Sequence, residues 1–369
     1  MAAASIRSSA TASAAPQTGA SLSWGPYADT IGIDAMAGLG RVDGNLDGTY
    51  NERELADARD CGLTAVRLSL APEGPFWFND AAYQTTLRRI SEWDRQILRR
   101  PDIFTQILTG ADFARAHRER RLGLIYGFQE TSPIGEDLDR IEVFYQAGVR
   151  VIQLTHNRRN LVGDGSMEPG NAGISNLGHK IVEALNARRI VVDLAHGAPR
   201  TISEGITASK APVIISHTGC AALSDHPRCT TDASLRLMAD RGGVAGIIFW
   251  PYLRKEGQPM AADVIRHIEH AIKVCGEDHV GIGTDCSISP MDQTADYEKS
   301  NRDTIDSMFQ QGIFEAGRSH DLHLFIPDLN DVRRFEILGA MLAARGHSEN
   351  RIKKILGGNF ARVMSDIWG

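Results

Sequence analysis

The sequence predicts an α/β protein built as a (β/α)8 barrel of the TIM type. Short apolar runs rich in Val and Ile recur eight times, and several of the segments between them have the periodicity of amphipathic helices. Runs that are apolar on both alternations are typical of buried parallel strands. Polar residues follow these runs, as in barrels whose chemistry lies at the carboxyl ends of the strands.

Eight strands are predicted from these runs. The fifth and sixth are the most informative, because each is followed by a histidine and one helix-length segment separates the two. Such a strand–helix–strand unit places His196 and His217 at the same end of neighbouring strands. The predicted strands are Thr30–Asp34, Thr64–Leu70, Leu122–Phe128, Val149–Leu154, Ile190–Leu194, Val213–Ser216, Val244–Phe249 and Val280–Gly283.

The helices predicted between strands complete the alternation. An open doubly wound sheet is the competing architecture, but its first strand is normally followed by a glycine-rich phosphate turn, which the segment from Asp34 to Gly40 matches poorly. We therefore expect residues 23–369 to form one barrel domain. The predicted helices are Leu138–Gln146, Ser175–Asn186, Ser234–Arg241 and Val264–Val274, with another between Pro199 and Lys210.

Composition excludes some classes of protein. A net charge of −6 without a basic stripe argues against nucleic-acid binding, and no apolar run has the length of a membrane helix. The Ala/Ser-rich residues 1–22 are expected to be a disordered tail. Five cysteines without C-x-x-C spacing favour a reducing, cytoplasmic compartment. A periplasmic or exported protein is the alternative if the tail is a trimmed leader, because Ala12–Ala14 resembles a cleavage site.

The residues that follow the eight strands predict a functional site. Three histidines on consecutive strands and an aspartate after the last strand are difficult to explain by packing, and they are the residue types of metal and acid–base sites. In strand order the end residues are Asp34 and Met36, Ser69, Gln129 and Glu130, His156, His196, His217, Trp250 and Asp285.

Five motifs carry a family resemblance that runs from about residue 30 to the C-terminus. In order and spacing they resemble the membrane (renal) dipeptidases, the M19-type metallopeptidases of the amidohydrolase-like barrels. The resemblance implies a dinuclear zinc site, hydrolysis of dipeptides and a homodimer. The motifs are Leu154-Thr-His-Asn157, Asp193-Leu-Ala-His196, Ile215-Ser-His-Thr218, Gly283-Thr-Asp285 and Gly357-Gly-Asn-Phe-Ala-Arg362.

The resemblance also implies roles for individual residues. His196 and His217 match the two histidines that hold one zinc of the pair. Asp285 matches the aspartate that handles the proton of the attacking water, and His156 matches the histidine that polarises the substrate carbonyl or the tetrahedral intermediate. Arg228 matches the arginine that pairs with the substrate carboxylate, for which a planar guanidinium is well suited.

Two further residues are expected near the substrate. Arg159 lies in the loop after the fourth strand, where it either contacts a charged end of the substrate or forms a salt bridge at the rim. Trp250 follows the seventh strand and is expected to form an apolar wall of the pocket or to pack in the core.

The sequence departs from the family pattern at the other zinc. Met36 and Gly38 stand where the family has a histidine and an aspartate ligand, and Gln129 stands where it has the bridging glutamate. A thioether is a poor zinc ligand, glycine has no side chain, and an amide is neutral. Glu130 is adjacent to Gln129 but replaces it only if the strand end bulges.

These departures predict at most one zinc per chain. His196 and His217, with Gln129 or Glu130 as a third ligand, leave a position open for water. A barrel without metal, whose histidines only form hydrogen bonds, is the alternative. Separately, the segment from Asp43 to Glu54 has the oxygen-ligand spacing of a calcium loop, although a solvated turn leading into the first helix is the favoured interpretation.

The leading interpretation is a dipeptidase-like hydrolase of a small amide or dipeptide, expected to form a homodimer and to bind neither nucleic acid nor membrane. A second interpretation is a metal-independent lyase, epimerase or dehydratase that uses His156 and Asp285 as acid and base on a peptide- or amino-acid-derived metabolite. A third is a catalytically silent binding protein.

Overall fold

The predicted barrel is confirmed in the computed structural model, which describes residues 22–40, 50–74, 80–315 and 317–369. Eight parallel strands lie side by side in chain order, each paired with the next. They are β1 (Ile33–Asp34), β2 (Ala65–Ser69), β3 (Leu122–Phe128), β4 (Val149–Gln153), β5 (Val191–Asp193), β6 (Ile214–Cys220), β7 (Val244–Ile247) and β8 (Val280–Ile282).

Hydrogen bonds between β8 and β1 close the barrel. The Ala35 amide donates to the Ile282 carbonyl at 3.0 Å, and a parallel pair, Ala37–Gly38 with Cys286–Ser287, extends the contact beyond the strands. The Asp34 carboxylate accepts from the Thr284 amide at 2.8 Å and from its hydroxyl at 2.7 Å. The first and last strands are therefore joined by side-chain as well as backbone bonds.

Helices surround the strands, and none of those described has the length and apolar character needed to span a bilayer. Several of them were not predicted from the sequence, among them α2 and α3, which lie between β2 and β3. The helices are α1 (Glu52–Asp60), α2 (Ala81–Arg99), α3 (Ala111–Glu119), α4 (Asp139–Gln146), α5 (Asn176–Ala187), α6 (Pro199–Ala208), α7 (Asp232–Asp240), α8 (Ala261–Cys275), α9 (Ala295–Gln310), α10 (Arg334–Ala344), α11 (Glu349–Lys353) and α12 (Asn359–Trp368).

Two expectations from the sequence fall wholly or mostly outside the described residues. These are the N-terminal tail and the calcium-loop segment. Of the latter's expected ligands only Glu54 is described, and its carboxylate accepts a hydrogen bond from the Asn51 amide in a capping box at the start of α1. A helix cap is sufficient to explain the position of Glu54.

The interior of the barrel changes from apolar to polar along the strands. Near the amino-terminal end, one residue from each of seven strands packs against Phe360 and Trp368 of α12: Ile33, Ala65, Ile125, Val151, Val191, Ile214 and Val244. Two residues further on, the same inward face of β2 and β5 presents Arg67 and Asp193, because side chains alternate along a strand. The apolar base thus supports a charged layer beneath the carboxyl ends.

We predict that Gly246→Ala destabilises the barrel strongly. A Cβ at this position would lie 2.1 Å from the Ser216 carbonyl oxygen, so the backbones of β6 and β7 would have to separate. Overpacking of this kind costs at least about 2 kcal/mol. Urea denaturation followed by circular dichroism measures the loss. Gly25→Ala is the control, because a Cβ there meets nothing within 4 Å; equal stability of the two variants would contradict the prediction.

Candidate active site

The candidate site lies at the carboxyl ends of the strands, where a cavity of about 460 Å³ opens to the surface. Its walls come from the loops after β2, β3 and β4, and from the segment after α9. His156 and Glu73 both line it. Below it, the rings of three histidines lie against one another: the centroids of His156 and His196 are 4.2 Å apart, and those of His196 and His217 are 4.8 Å apart.

Hydrogen bonds fix the tautomers of His196 and His217. The Ser216 hydroxyl donates to the Asp193 carboxylate at 2.6 Å, so its oxygen accepts from His217 Nδ1–H at 2.8 Å. His196 Nδ1 lies 2.8 Å from Asn157 Oδ1, which is an acceptor, so this nitrogen also carries a proton. Both Nε2 atoms are then left unprotonated, and they face each other at 2.8 Å.

Two lone pairs at this distance repel each other unless one cation binds both nitrogens. A proton is disfavoured there, because burial and the charge of Arg228 hold the pKa of both His196 and His217 well below its usual range. Nδ1–H groups held by acceptors, with Nε2 free, are the usual arrangement of metal-bound histidines. The donor atoms of this pair therefore fit one metal ion.

The rest of the donor set is sparse. Among the residues that the structure describes, no group of three His, Cys, Asp or Glu side chains is positioned to hold a metal ion. Gln129 keeps a buried Oε1 without a hydrogen-bond partner, while its Nε2 donates to Glu73 at 2.9 Å. The Gln129 carbonyl therefore remains a candidate third ligand.

Glu130 is the one expected ligand whose side chain is engaged elsewhere. Its carboxylate accepts from the Gly74 amide at 2.8 Å and interacts with the side chains of Ser132 and Asn160. Burial raises its pKa to about 7. Loop contacts therefore hold the Glu130 carboxylate in this structure, and its role as a metal ligand stays a prediction.

The environment shifts the pKa values of Asp285 and His156 in opposite directions. Burial raises the pKa of Asp285 to about 7, against the opposing charges of Arg228 and Arg67. Burial lowers the pKa of His156, whose Nε2 lies 3.4 Å from the Glu73 carboxylate. At neutral pH, His156 is thus mostly neutral and Asp285 is close to half ionised, which suits an acid–base pair.

The remaining expected site residues occupy different depths. Arg228 is buried, and its Nε and Nη2 have no partner in the described part of the chain, so two N–H donors remain for a ligand. Trp250 Nε1 donates to the Asp285 carbonyl at 2.7 Å, which fixes the ring beside that aspartate. Arg159 is half-exposed at the rim and pairs with Asp164 at 2.6 Å, the salt-bridged alternative for this side chain.

The sequence analysis missed two residues of the site, Arg67 and Glu73. Arg67 is completely buried; its Nη1 lies 3.0 Å from Met36 Sδ and 3.5 Å from Asp193 Oδ2, and its Nη2 donates to the Phe128 carbonyl. A charged residue inside a strand of apolar neighbours is the signal that identifies Arg67. Glu73 has no comparable signal, because a loop brings it to the site.

Two site residues have a left-handed backbone. His196 has φ of +61° and Asp285 has φ of +56°, in a region that non-glycine residues seldom adopt. Backbone hydrogen bonds hold each of them: the His196 carbonyl accepts from the Ser166 amide at 2.6 Å, and the Asp285 amide donates to the Met36 carbonyl at 2.7 Å. Strain at both positions is typical of functional sites.

Comparisons with known proteins match the chain to one family model. Residues 36–306 match the family model described as membrane dipeptidase (peptidase family M19). The chain is 30% identical over 293 residues to dipeptidase verJ of Clonostachys rogersoniana, a match that covers 78% of this chain and 67% of the relative.

Solved structures show the same fold. An amidohydrolase from Pseudomonas aeruginosa superposes with a TM-score of 0.77 at 30% identity, covering 93% of this chain and 98% of the other. A metallopeptidase from Rhodobacter sphaeroides, liganded with a phosphinate mimic of the dipeptide L-Ala-D-Ala, superposes with a TM-score of 0.71 at 19% identity, covering 91% and 99%.

We predict that Asp193→Asn lowers the free energy of unfolding by about 3–5 kcal/mol, because it leaves the Arg67 guanidinium buried without its counterion. Guanidinium denaturation measures the change. Asp321→Asn is the control, since it breaks an exposed pair with Arg302 and is expected to cost less than about 1 kcal/mol. Similar losses in the two variants would refute a special role for the buried pair.

Proposed function

This chain belongs to the membrane dipeptidase family, peptidase family M19, and on that premise we propose that it hydrolyses small amides of the dipeptide type with at most one zinc per chain. The observation that carries the proposal is that the Nε2 atoms of His196 and His217 face each other at 2.8 Å while Asn157 and Ser216 hold their Nδ1 atoms. A zinc ion bound there supplies a Lewis acid and a water molecule that loses its proton near neutral pH.

The donor set supports one zinc and argues against two. At the first-strand position, Met36 offers a thioether that already contacts Arg67, and Gly38 offers no side chain. A second dication there would lie beside a buried guanidinium with few anionic ligands. His196, His217 and the unpartnered carbonyl of Gln129 are the proposed ligands of the single site.

The other residues of the site fit the handling of a dipeptide. We assign to Asp285 the proton of the attacking water, because its carboxylate has a pKa of about 7 and exchanges protons readily at neutral pH. His156, neutral and beside His196, donates a hydrogen bond to the carbonyl oxygen as negative charge develops on it. The free N–H groups of Arg228 bind the substrate carboxylate.

Two residues near the site would select small substrates. Trp250 is proposed as an apolar wall beside Asp285, with its ring fixed by the bond to the Asp285 carbonyl. Arg159 presents part of its guanidinium at the rim while Asp164 holds it. A homodimer, as in the family, remains part of the proposal, and sedimentation of the purified chain tests it.

We predict one equivalent of zinc per chain, and hydrolysis of alanyl dipeptides that rises in proportion to zinc until that equivalent is bound. Plasma mass spectrometry measures the metal. His217→Ala loses both zinc and activity, whereas His179→Ala, at an exposed position on α5, keeps both. Two equivalents would contradict the single site. A chain without zinc whose turnover depends on His156 and Asp285 would favour the lyase, epimerase or dehydratase class.

We predict that kcat/KM rises with pH to a plateau above a pKa of about 7, because Asp285 accepts a proton only when it is ionised. Below that pKa the value is expected to fall about tenfold per pH unit. In Asp285→Asn this acid limb, the fall of kcat/KM below the pKa, disappears, and kcat/KM decreases by a factor of about 10²–10⁴. Asp240→Asn on α7 is the control and keeps the wild-type profile. A wild-type profile that is flat between pH 5 and 8, a range of about three units centred near this pKa, would exclude Asp285 as the base.

A further inference from the structure

Arg67 occupies the centre of the barrel beside the position where the family's first-strand ligands are missing. Its guanidinium touches Met36 Sδ at 3.0 Å and lies 3.5 Å from Asp193 Oδ2. The side chain has no solvent exposure. A positive charge is therefore fixed among the strand ends by the chain itself.

The neighbouring strand is shaped to accept this side chain. A Cβ on Gly127 of β3 would lie 2.6 Å from Arg67 Nε and 3.4 Å from its Cζ, so only glycine leaves room for the guanidinium. The Phe128 carbonyl next to it accepts from Nη2. Arg67 thus lies in a fitted cradle.

The charges around Arg67 are those that a metal ion would otherwise balance. Asp193, Asp285 and Glu73 all favour its charged form. Asp193 in turn holds Ser216, and Ser216 holds His217 Nδ1. Arg67 is thereby connected to the histidine pair through two polar groups, Asp193 and Ser216.

We propose that Arg67 is a built-in cation that replaces the first-strand metal ion of the family: it positions Asp193, balances Asp285, and keeps a second metal out. The inference rests on the proposed function only in taking the histidine pair as the one zinc site. Arg67 is fully buried and is proposed to act through Asp193 and Asp285, so it is a positioning residue.

The test restores the missing ligands with and without Arg67. One variant carries Met36→His, Gly38→Asp and Gln129→Glu. The new side chain at residue 38 has room, because a Cβ there meets only the Gly40 carbonyl, at 4.0 Å. The second variant adds Arg67→Met. With saturating zinc followed by dialysis, we expect no gain of zinc over the wild type in the first variant and one additional equivalent in the second. A gain in the first variant, or none in the second, would overturn the proposal.

This comparison is separate from the proposed function. A wild-type chain without zinc would refute the single zinc site, while the difference between the two variants still reports on Arg67. Thermal melting shows whether each variant is folded. Arg150→Met in the zinc assay is the control for loss of a buried guanidinium, since Arg150 bonds only to carbonyls outside the site; it is expected to leave zinc uptake unchanged.

A second measurement remains informative if the combined variants fail to fold. In the otherwise wild-type chain, Arg67→Met is expected to raise the pKa of the acid limb of kcat/KM by about one pH unit, because Asp285 loses a nearby positive charge. Arg67→Lys keeps the charge and is expected to keep the limb within a few tenths of a unit. An unchanged limb in Arg67→Met would show that Arg67 is only structural.

Discussion

The buried pair of Arg67 and Asp193 is the interaction on which the site depends. Removing both charges from water is costly, and their mutual attraction offsets that cost only when further hydrogen bonds hold them. Here the Asp193 carboxylate also accepts from the amides of Ala195 and Ser216, both at 3.0 Å, and from the Ser216 hydroxyl. This network fixes the ends of β5 and β6, and with them the two histidines. Stability and site geometry are therefore determined by the same few bonds.

Much of the architecture was predictable because its signals are local. Apolar β-branched runs mark buried strands. Parallel strands that follow one another in the chain lie side by side with their carboxyl ends together. Because His196 and His217 follow consecutive predicted strands, their proximity could be predicted from the order of the strands alone. The helices α2 and α3 were missed, and so was the short strand Phe104–Gln106 that lies between them and pairs with β3. Strand limits shifted by a few residues, as with β6, which extends to Cys220.

The composition of the site was less predictable than its location. The role of Arg67 depends on the inward register of β2 and on space beside Gly127, and neither is apparent from the residue type alone. Glu73 and Glu130 are positioned by loop contacts, which pattern analysis does not resolve. The absence of family ligands at residues 36, 38 and 129 was visible in the sequence. The guanidinium in their place became evident only in three dimensions.

The left-handed backbone at His196 and Asp285 bears on whether this barrel is an active enzyme or a silent binding scaffold. Each such conformation costs about 1 kcal/mol or more, and glycine would adopt it without strain. In a scaffold that only binds, drift towards glycine at either position would relieve strain without loss. A titratable side chain at both positions exchanges some stability for chemistry that glycine cannot supply, and an active enzyme has a use for that exchange.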